Sequence, residues 1–196
     1  MRPAVYFDFE TCGIEPHRPE IQLAAVVVDE DTWAEISSFE RKIEFDLAKA
    51  TSEALAMNSY NAEKWAAEAV SEARVVAEFD TFLTPFRAQR MMSKAGKPYF
   101  VARLVGHNAA TFDGPRLMAM FKRHHLFLPA DPRVRDTVQL ALWHFDELGA
   151  APKDFKLVTL CQHFGVQVKD AHDALADVRM TVGLARALRE ARRVAA

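Results

Sequence analysis

Residues 5–13 read VYFDFETCG. Val5, Tyr6, Phe7 and Phe9 are β-branched or aromatic, as a strand requires, yet Asp8 and Glu10 stand inside the run. Side chains two apart on a strand share a face. The strand therefore aims two carboxylates at one point beside an apolar core. Like charges that close repel, and burying them costs several kcal/mol unless a partner neutralises them. A fold for this chain has to supply that partner.

The 196 residues, half of them hydrophobic, suffice for one sizeable core, so residues 1–196 read as a single domain. Strands are expected at 4–9, 21–28 and about 33–45. The first two are near-continuous apolar runs, as in strands covered on both faces. Between them TCGIEPHRPE, with a glycine and two prolines, reads as a loop. Helices are expected at 47–57 and at 61–90, the second with a break near Val70–Ser71. MMSKAGKPYF then reads as a loop and VARLVGH (101–107) as a strand. Further helices are expected at 113–125, 137–147, 156–164 and 173–193. In the last, Leu175, Val178, Val182, Ala185 and Leu188 line one face, and arginines gather toward the C-terminal end. Strands first, then one strand among helices, make an α/β domain with a mixed sheet packed by helices.

Trp33, Trp65 and Trp143 fall within apolar patterns and read as packing residues, and Cys161 as a small buried hydrophobe. The first apolar run is broken at Asp8, far short of a signal-peptide core or a membrane span. Cys12 and Cys161 form neither a metal-type pair nor a disulfide framework. The expectation is a reduced, cytoplasmic protein with no membrane segment.

Three other places repeat the oddity of the opening stretch. Asp113 follows an apolar strand and the polar turn GHNAATF. Asp177 stands early in the last helix, next to its apolar face. His172 precedes it by five residues, about 140° around an ideal helix, so His172 is placed in the loop before that helix. Each signal has an ordinary reading on its own: a solvated strand face, an Asn cap with an Asp at a helix start, a capping histidine, an exposed helix aspartate. Converging, the four acids would need hard divalent cations, because carboxylates suit Mg²⁺ or Mn²⁺ whereas zinc would want His and Cys at ligand spacing. Two such ions clamp the attacking and leaving oxygens of a phosphoryl transfer. His172, with an ordinary pKa of about 6.5, would serve as general base.

In order and spacing, FDFETCG, GHNAATFDGPRL, RDTVQLA and AHDALADVRMTVGLA resemble the motifs of the DEDDh, or DnaQ-like, 3′–5′ exonucleases, from Asp8 to about Leu188. The resemblance implies an RNase H-like fold with a five-stranded mixed β-sheet flanked by α-helices. It implies that Asp8, Glu10, Asp113 and Asp177 bind two divalent ions, Mg²⁺ or Mn²⁺, and that His172 is the base. Thr11, Cys12, Ile14, Asn108 and Phe112 would border the substrate's 3′ end. Two departures stand out. Thr11-Cys12-Gly13 replaces the frequent Thr-Thr-Gly, and Asp113 stands five positions after Asn108 where many members have the Asp four positions after. The implied activity is hydrolysis of single-stranded nucleic acid from its 3′ end, DNA slightly favoured over RNA, releasing nucleoside 5′-monophosphates. The alternatives are exoribonuclease or oligoribonuclease-type trimming, a silent nucleic-acid-binding module, or a proofreading subunit with a polymerase or repair partner. The helix at 61–90 serves equally as a homodimer face or as core.

Net charge is −2, from 25 basic and 27 acidic residues. With the four proposed ligands set aside, 25 basic residues face 23 acidic ones. Arg87, Arg90, Lys94, Lys97 and Arg103 fall in one acid-free stretch that includes Tyr99-Phe100. That composition suits a strand-tracking, base-stacking surface as well as it suits a solvated loop. Arg123, His124 and His125 are similarly open to both readings, with the two histidines read as a surface pair.

Overall fold

The structure is a computed structural model that describes residues 1–58, 60–168 and 173–195. Three antiparallel strands come first: β1 (Pro3–Thr11), β2 (Glu20–Asp29) and β3 (Ala34–Lys42). Short helices α1 (Ser52–Met57) and α2 (Ala62–Glu68) precede α3 (Glu72–Leu83). A hairpin of β4 (Gln89–Met92) and β5 (Pro98–Val101) leads into β6 (Leu104–Gly106), which runs parallel to β1. Helix α4 (Asp113–Arg123), the two-residue β7 (Arg135–Asp136), α5 (Thr137–Leu148), α6 (Leu157–His163) and α7 (Ala174–Ala195) complete the order. The main sheet is β3-β2-β1-β6-β7, five strands of mixed direction flanked by helices, the RNase H-like arrangement.

The period-2 geometry of β1 divides the molecule. Val5, Phe7 and Phe9 face α3 and α4, packing with Phe79, Leu117 and Phe121. Ala4 and Tyr6 face α7, packing with Val178 and Ala185. Asp8 and Glu10 continue this second row, so the strand delivers them to the α7 side. Helices α5 and α6 pack on α7 through Phe145, Leu160, Leu184 and Leu188. Cys161 is buried in this layer, as expected.

Several sequence expectations change. The expected helix 61–90 is two helices and a strand. Val70 leaves helical geometry to bridge Ile43, and Pro85 ends α3 in a 3-10 turn. The expected loop at 91–100 is a hairpin whose turn holds Gly96 at φ 72°, a conformation that favours glycine. Leu104 pairs with Val5, and Glu10 lies five residues further along β1, so the hairpin leaves the sheet about 17 Å from Glu10, at the opposite end. The basic stretch is also divided. Arg87 binds Asp80 at 2.9 Å and Arg103 binds the buried Glu30 at 2.8 Å. Arg90, Lys94 and Lys97 remain on the hairpin. Arg123 and His124 both bind Glu72 at 2.8 Å, tying α4 to α3. Trp65 is buried and Trp33 partly so, but Trp143 is 65% exposed, on the opposite side of α5 from Ala141 and Phe145.

Candidate active site

Asp8, Glu10 and Asp177 offer carboxylate oxygens that all lie within 4.8 Å of one another. Each arrives for a local reason. Asp8 and Glu10 share one face of β1. Asp177 stands in the first turn of α7, where Asp173 caps the helix by accepting the Ala176 amide (3.2 Å). A helix N-terminus favours such a carboxylate.

Asp113 opens α4 and is buried. β6 stops at Gly106, so the β1 amide of Phe9 has no strand partner on that side. It donates instead to Asp113 Oδ1 at 3.3 Å. The chain can turn sharply after β6 because position 106 is glycine. A Cβ there would meet the Ala109 Cβ at 2.3 Å and the Phe7 carbonyl at 3.1 Å.

Burial pushes the Asp8 carboxyl well above its ordinary range, reinforced by the charges of Asp113, Glu10 and Asp177. Glu10 is pushed up to about 8 by burial, then by Asp177, Asp113 and Asp173. Asp113 is pushed up to about 7 by burial, against the Phe9 amide and Arg116. These groups resist ionisation together, and a nearby divalent cation reverses that preference. Among the described residues the donors within this distance are carboxylate oxygens, which fit a hard ion of the Mg²⁺ or Mn²⁺ kind.

The carboxylates floor a cleft of about 420 Å³. Thr11, Ile14 and Phe112, expected at the substrate's end, line it. Ile14 is 82% exposed and Met57, on the facing α1, is 58% exposed. Cys12 corrects the expectation. Its thiol is fully buried against Ile21 and Trp65 and does not reach the cleft. Its carbonyl accepts the Thr51 amide at 3.1 Å, which sets the start of α1. Asn108 does not line the cleft either. It takes a left-handed turn (φ 58°), and its Oδ1 accepts the Thr111 hydroxyl. His172 lies outside the described residues.

Three contributors were given no role from the sequence, although Asp136 falls in RDTVQLA and Arg116 in GHNAATFDGPRL. Asp136 accepts the amides of Asn108 (3.0 Å), Ala110 (2.9 Å) and Val138 (2.8 Å), holding the turn that delivers Asp113. Asn58 donates to the Thr11 carbonyl at 2.9 Å and fixes α1 across the cleft from β1. Arg116, buried, donates to the carbonyls of Ile14, Glu15 and Arg18 and to Glu20 Oε1. Its guanidinium also lies 4.4 Å from the centre of the Phe112 ring. One side chain thus supports two apolar walls of the cleft, Ile14 and Phe112.

The comparisons with known proteins agree with the fold. The chain is similar in structure to E. coli exonuclease I in complex with a dT13 oligonucleotide: TM-score 0.75 and 19% identity, over 99% of this chain and 42% of that one. It is also similar to the zinc-bound form of an E. coli exonuclease I complex with single-stranded DNA: TM-score 0.73 and 20% identity, over 97% of this chain and 41% of that one. The chain therefore spans about two fifths of the length of those proteins, and at such identity the likeness shows the fold. No curated protein sequence matches. Among the described residues, no helix is long and apolar enough to cross a membrane. The exonuclease family model RNase_T matches residues 5–185, nearly the whole span that carries the sheet, the four acids and α7. With its RNase H-like fold and DEDDh motifs, the chain belongs to the RNase_T exonuclease family.

Proposed function

We propose that residues 1–196 act as one exonuclease domain that removes nucleoside 5′-monophosphates from the 3′ end of single-stranded nucleic acid, DNA before RNA. The observation that carries this reading is the meeting of Asp8, Glu10 and Asp177 on the floor of an open cleft, with Asp113 behind them. The single-stranded oligonucleotides bound by the structurally similar exonuclease I support the choice of strand.

Asp8, Glu10, Asp113 and Asp177 would hold two divalent ions, Mg²⁺ or Mn²⁺, which when bound would neutralise the carboxylates and supply charge stabilisation to the scissile phosphate. His172 accepts the proton of the attacking water at an imidazole nitrogen. The water oxygen bonds to phosphorus as the bond from phosphorus to the 3′ oxygen of the penultimate sugar breaks, and that oxygen takes up a proton from solvent to become the new 3′ hydroxyl, while the proton held by His172 returns to solvent. Ile14, Met57 and Phe112 take the last base against their apolar surfaces, while Thr11 lies beside the sugar and phosphate.

End-blocked oligonucleotides test the direction. A bulky adduct on the 3′ end should stop mononucleotide release, and the same adduct on the 5′ end should leave the initial rate unchanged. The opposite pattern would overturn the polarity. Matched DNA and RNA strands then rank the sugars, since discrimination rests on contacts to the 2′ hydroxyl. RNA cut faster than DNA would favour the exoribonuclease alternative.

The hairpin cations should matter little to short substrates. They leave the sheet about 17 Å from Glu10, beyond a Debye length of about 8 Å at physiological salt. Replacing Arg90, Lys94 and Lys97 together by Gln should leave kcat/KM for a dinucleotide within about twofold. A larger loss would bring the hairpin into the cleft.

A further inference from the structure

Trp143 is the only one of the three tryptophans exposed as widely as 65%, and it overhangs a second pocket. This pocket, about 320 Å³, lies between β7, α5 and α7 over a floor of Tyr6, Val105, Leu140 and Ala185. It shares no lining residue with the carboxylate cleft. Two guanidinium groups border it. Arg189 is committed: its Nη2 binds Glu30 Oε1 at 2.8 Å, and its guanidinium lies 5.3 Å from the centre of the Trp33 ring. Arg135 is not committed. Among the described residues its side chain makes no hydrogen bond or ion pair.

The surrounding charge explains why Arg135 has no hydrogen-bond or ion-pair partner among the described residues. Glu30 is the buried carboxylate of this region, and it already faces Arg2, Arg103 and Arg189. Asp136, in the pocket wall, spends its oxygens on the amides of Asn108, Ala110 and Val138. Loss of water, then the nearby Arg103 and Arg189, hold the Arg135 guanidinium below the usual arginine range, against the attraction of Glu30 and Asp131. An anion seated in the pocket would give this guanidinium a direct partner. Arginine presents a planar fork suited to phosphate, and an exposed indole presents a face suited to a flat ring. Together they favour a phosphate joined to an aromatic base.

We propose that this pocket is an accessory nucleotide site, in which Arg135 holds a phosphate and Trp143 stacks the base. The choice of a nucleotide over another phosphorylated aromatic rests on the exonuclease reading. The pocket is on the α7 side of the sheet, as the carboxylates are. Ala185 and Arg189 lie about 12 Å and 18 Å along α7 from Asp177, so the site lies apart from the hydrolytic cleft. Its nucleotide has two sources, a free mononucleotide or an upstream nucleotide of a strand whose 3′ end occupies the cleft.

The test uses the full chain in EDTA, where no divalent ion is present to hold phosphate in the carboxylate cleft. Calorimetric titration with deoxyadenosine monophosphate, beside deoxyadenosine as the phosphate-free control, reads the pocket directly. Saturable binding of the monophosphate should weaken about tenfold in R135Q and in W143A, as loss of a charge-assisted contact or a stacking face implies. Both side chains are exposed, and unchanged melting temperatures confirm intact folds. In the hydrolysis assay, a tenfold rise in KM for a twelve-nucleotide strand in R135Q, with kcat and dinucleotide kinetics unchanged, identifies an upstream nucleotide. Unchanged KM with weakened monophosphate binding identifies the free nucleotide. If neither the monophosphate affinity nor the strand KM responds to R135Q, the site is overturned. A wild-type chain that hydrolyses nothing would instead sink the exonuclease reading, and the titration would still decide the pocket.

Discussion

Asp8→Asn is expected to lower hydrolysis of a single-stranded oligonucleotide by on the order of 10³-fold or more, since divalent ions held by carboxylates supply several kcal/mol of transition-state stabilisation. The substitution keeps the side chain's shape and removes one ligand charge. Neighbouring residues of β1 on the same face, Ala4 and Tyr6, carry the packing against α7, so the protein should stay folded. Asp8 sits where burial and three neighbouring acids already disfavour ionisation, so the amide relieves repulsion while it removes a ligand. Initial rates with saturating Mn²⁺, beside a melting curve, check both halves of this statement. A variant that cuts at the wild-type rate would remove Asp8 from the mechanism.

Glu10→Gln is expected to melt higher than the wild type in EDTA at pH 8 and alike near pH 4.5. Glu10 titrates at about 8 in the folded protein against 4.5 as the ordinary value. Between those values the folded state holds a proton that the unfolded state releases. The stability of the metal-free protein therefore falls as pH rises through this window. At pH 8 the difference is about 2–4 kcal/mol, or roughly 5–15 °C in melting temperature for a chain of this size. Added Mn²⁺ should recover the loss in the wild type by ligand linkage and do much less for the variant. Melting curves in EDTA and in Mn²⁺ from pH 5 to 8 decide this. A metal-free protein that gains stability with pH and ignores Mn²⁺ would contradict the charge account of the site.

Much of this site was legible because its acids interrupt otherwise apolar elements. Asp8 and Glu10 break the pattern of β1, and Asp113 and Asp177 fall at the starts of two amphipathic helices. β1, β2, α4 and α7 were readable for the same reason, each being long enough to show a period. The fifth strand was not readable from pattern. β7 has two residues and exists through its register with Val105 and Gly106. The hairpin had a local sign, Gly96 between two apolar runs, that the basic composition obscured. The α1 wall of the cleft depends on contacts between distant segments, such as Asn58 with Thr11, which no local pattern encodes. Cys12 and Trp143 show the same limit in opposite directions. A residue beside the clustered acids is fully buried, and a tryptophan within an apolar helix faces out. Tertiary packing, not residue type, decided both.

The most direct measurement is a time course on one 5′-labelled single strand with Mg²⁺, Mn²⁺ or EDTA, run for the wild type and for Asp177→Ala. The account predicts a ladder that shortens from the 3′ end with either metal, and none with EDTA or with the variant. Cleavage that persists in EDTA, or in Asp177→Ala, would contradict a carboxylate-held metal centre as the seat of the chemistry.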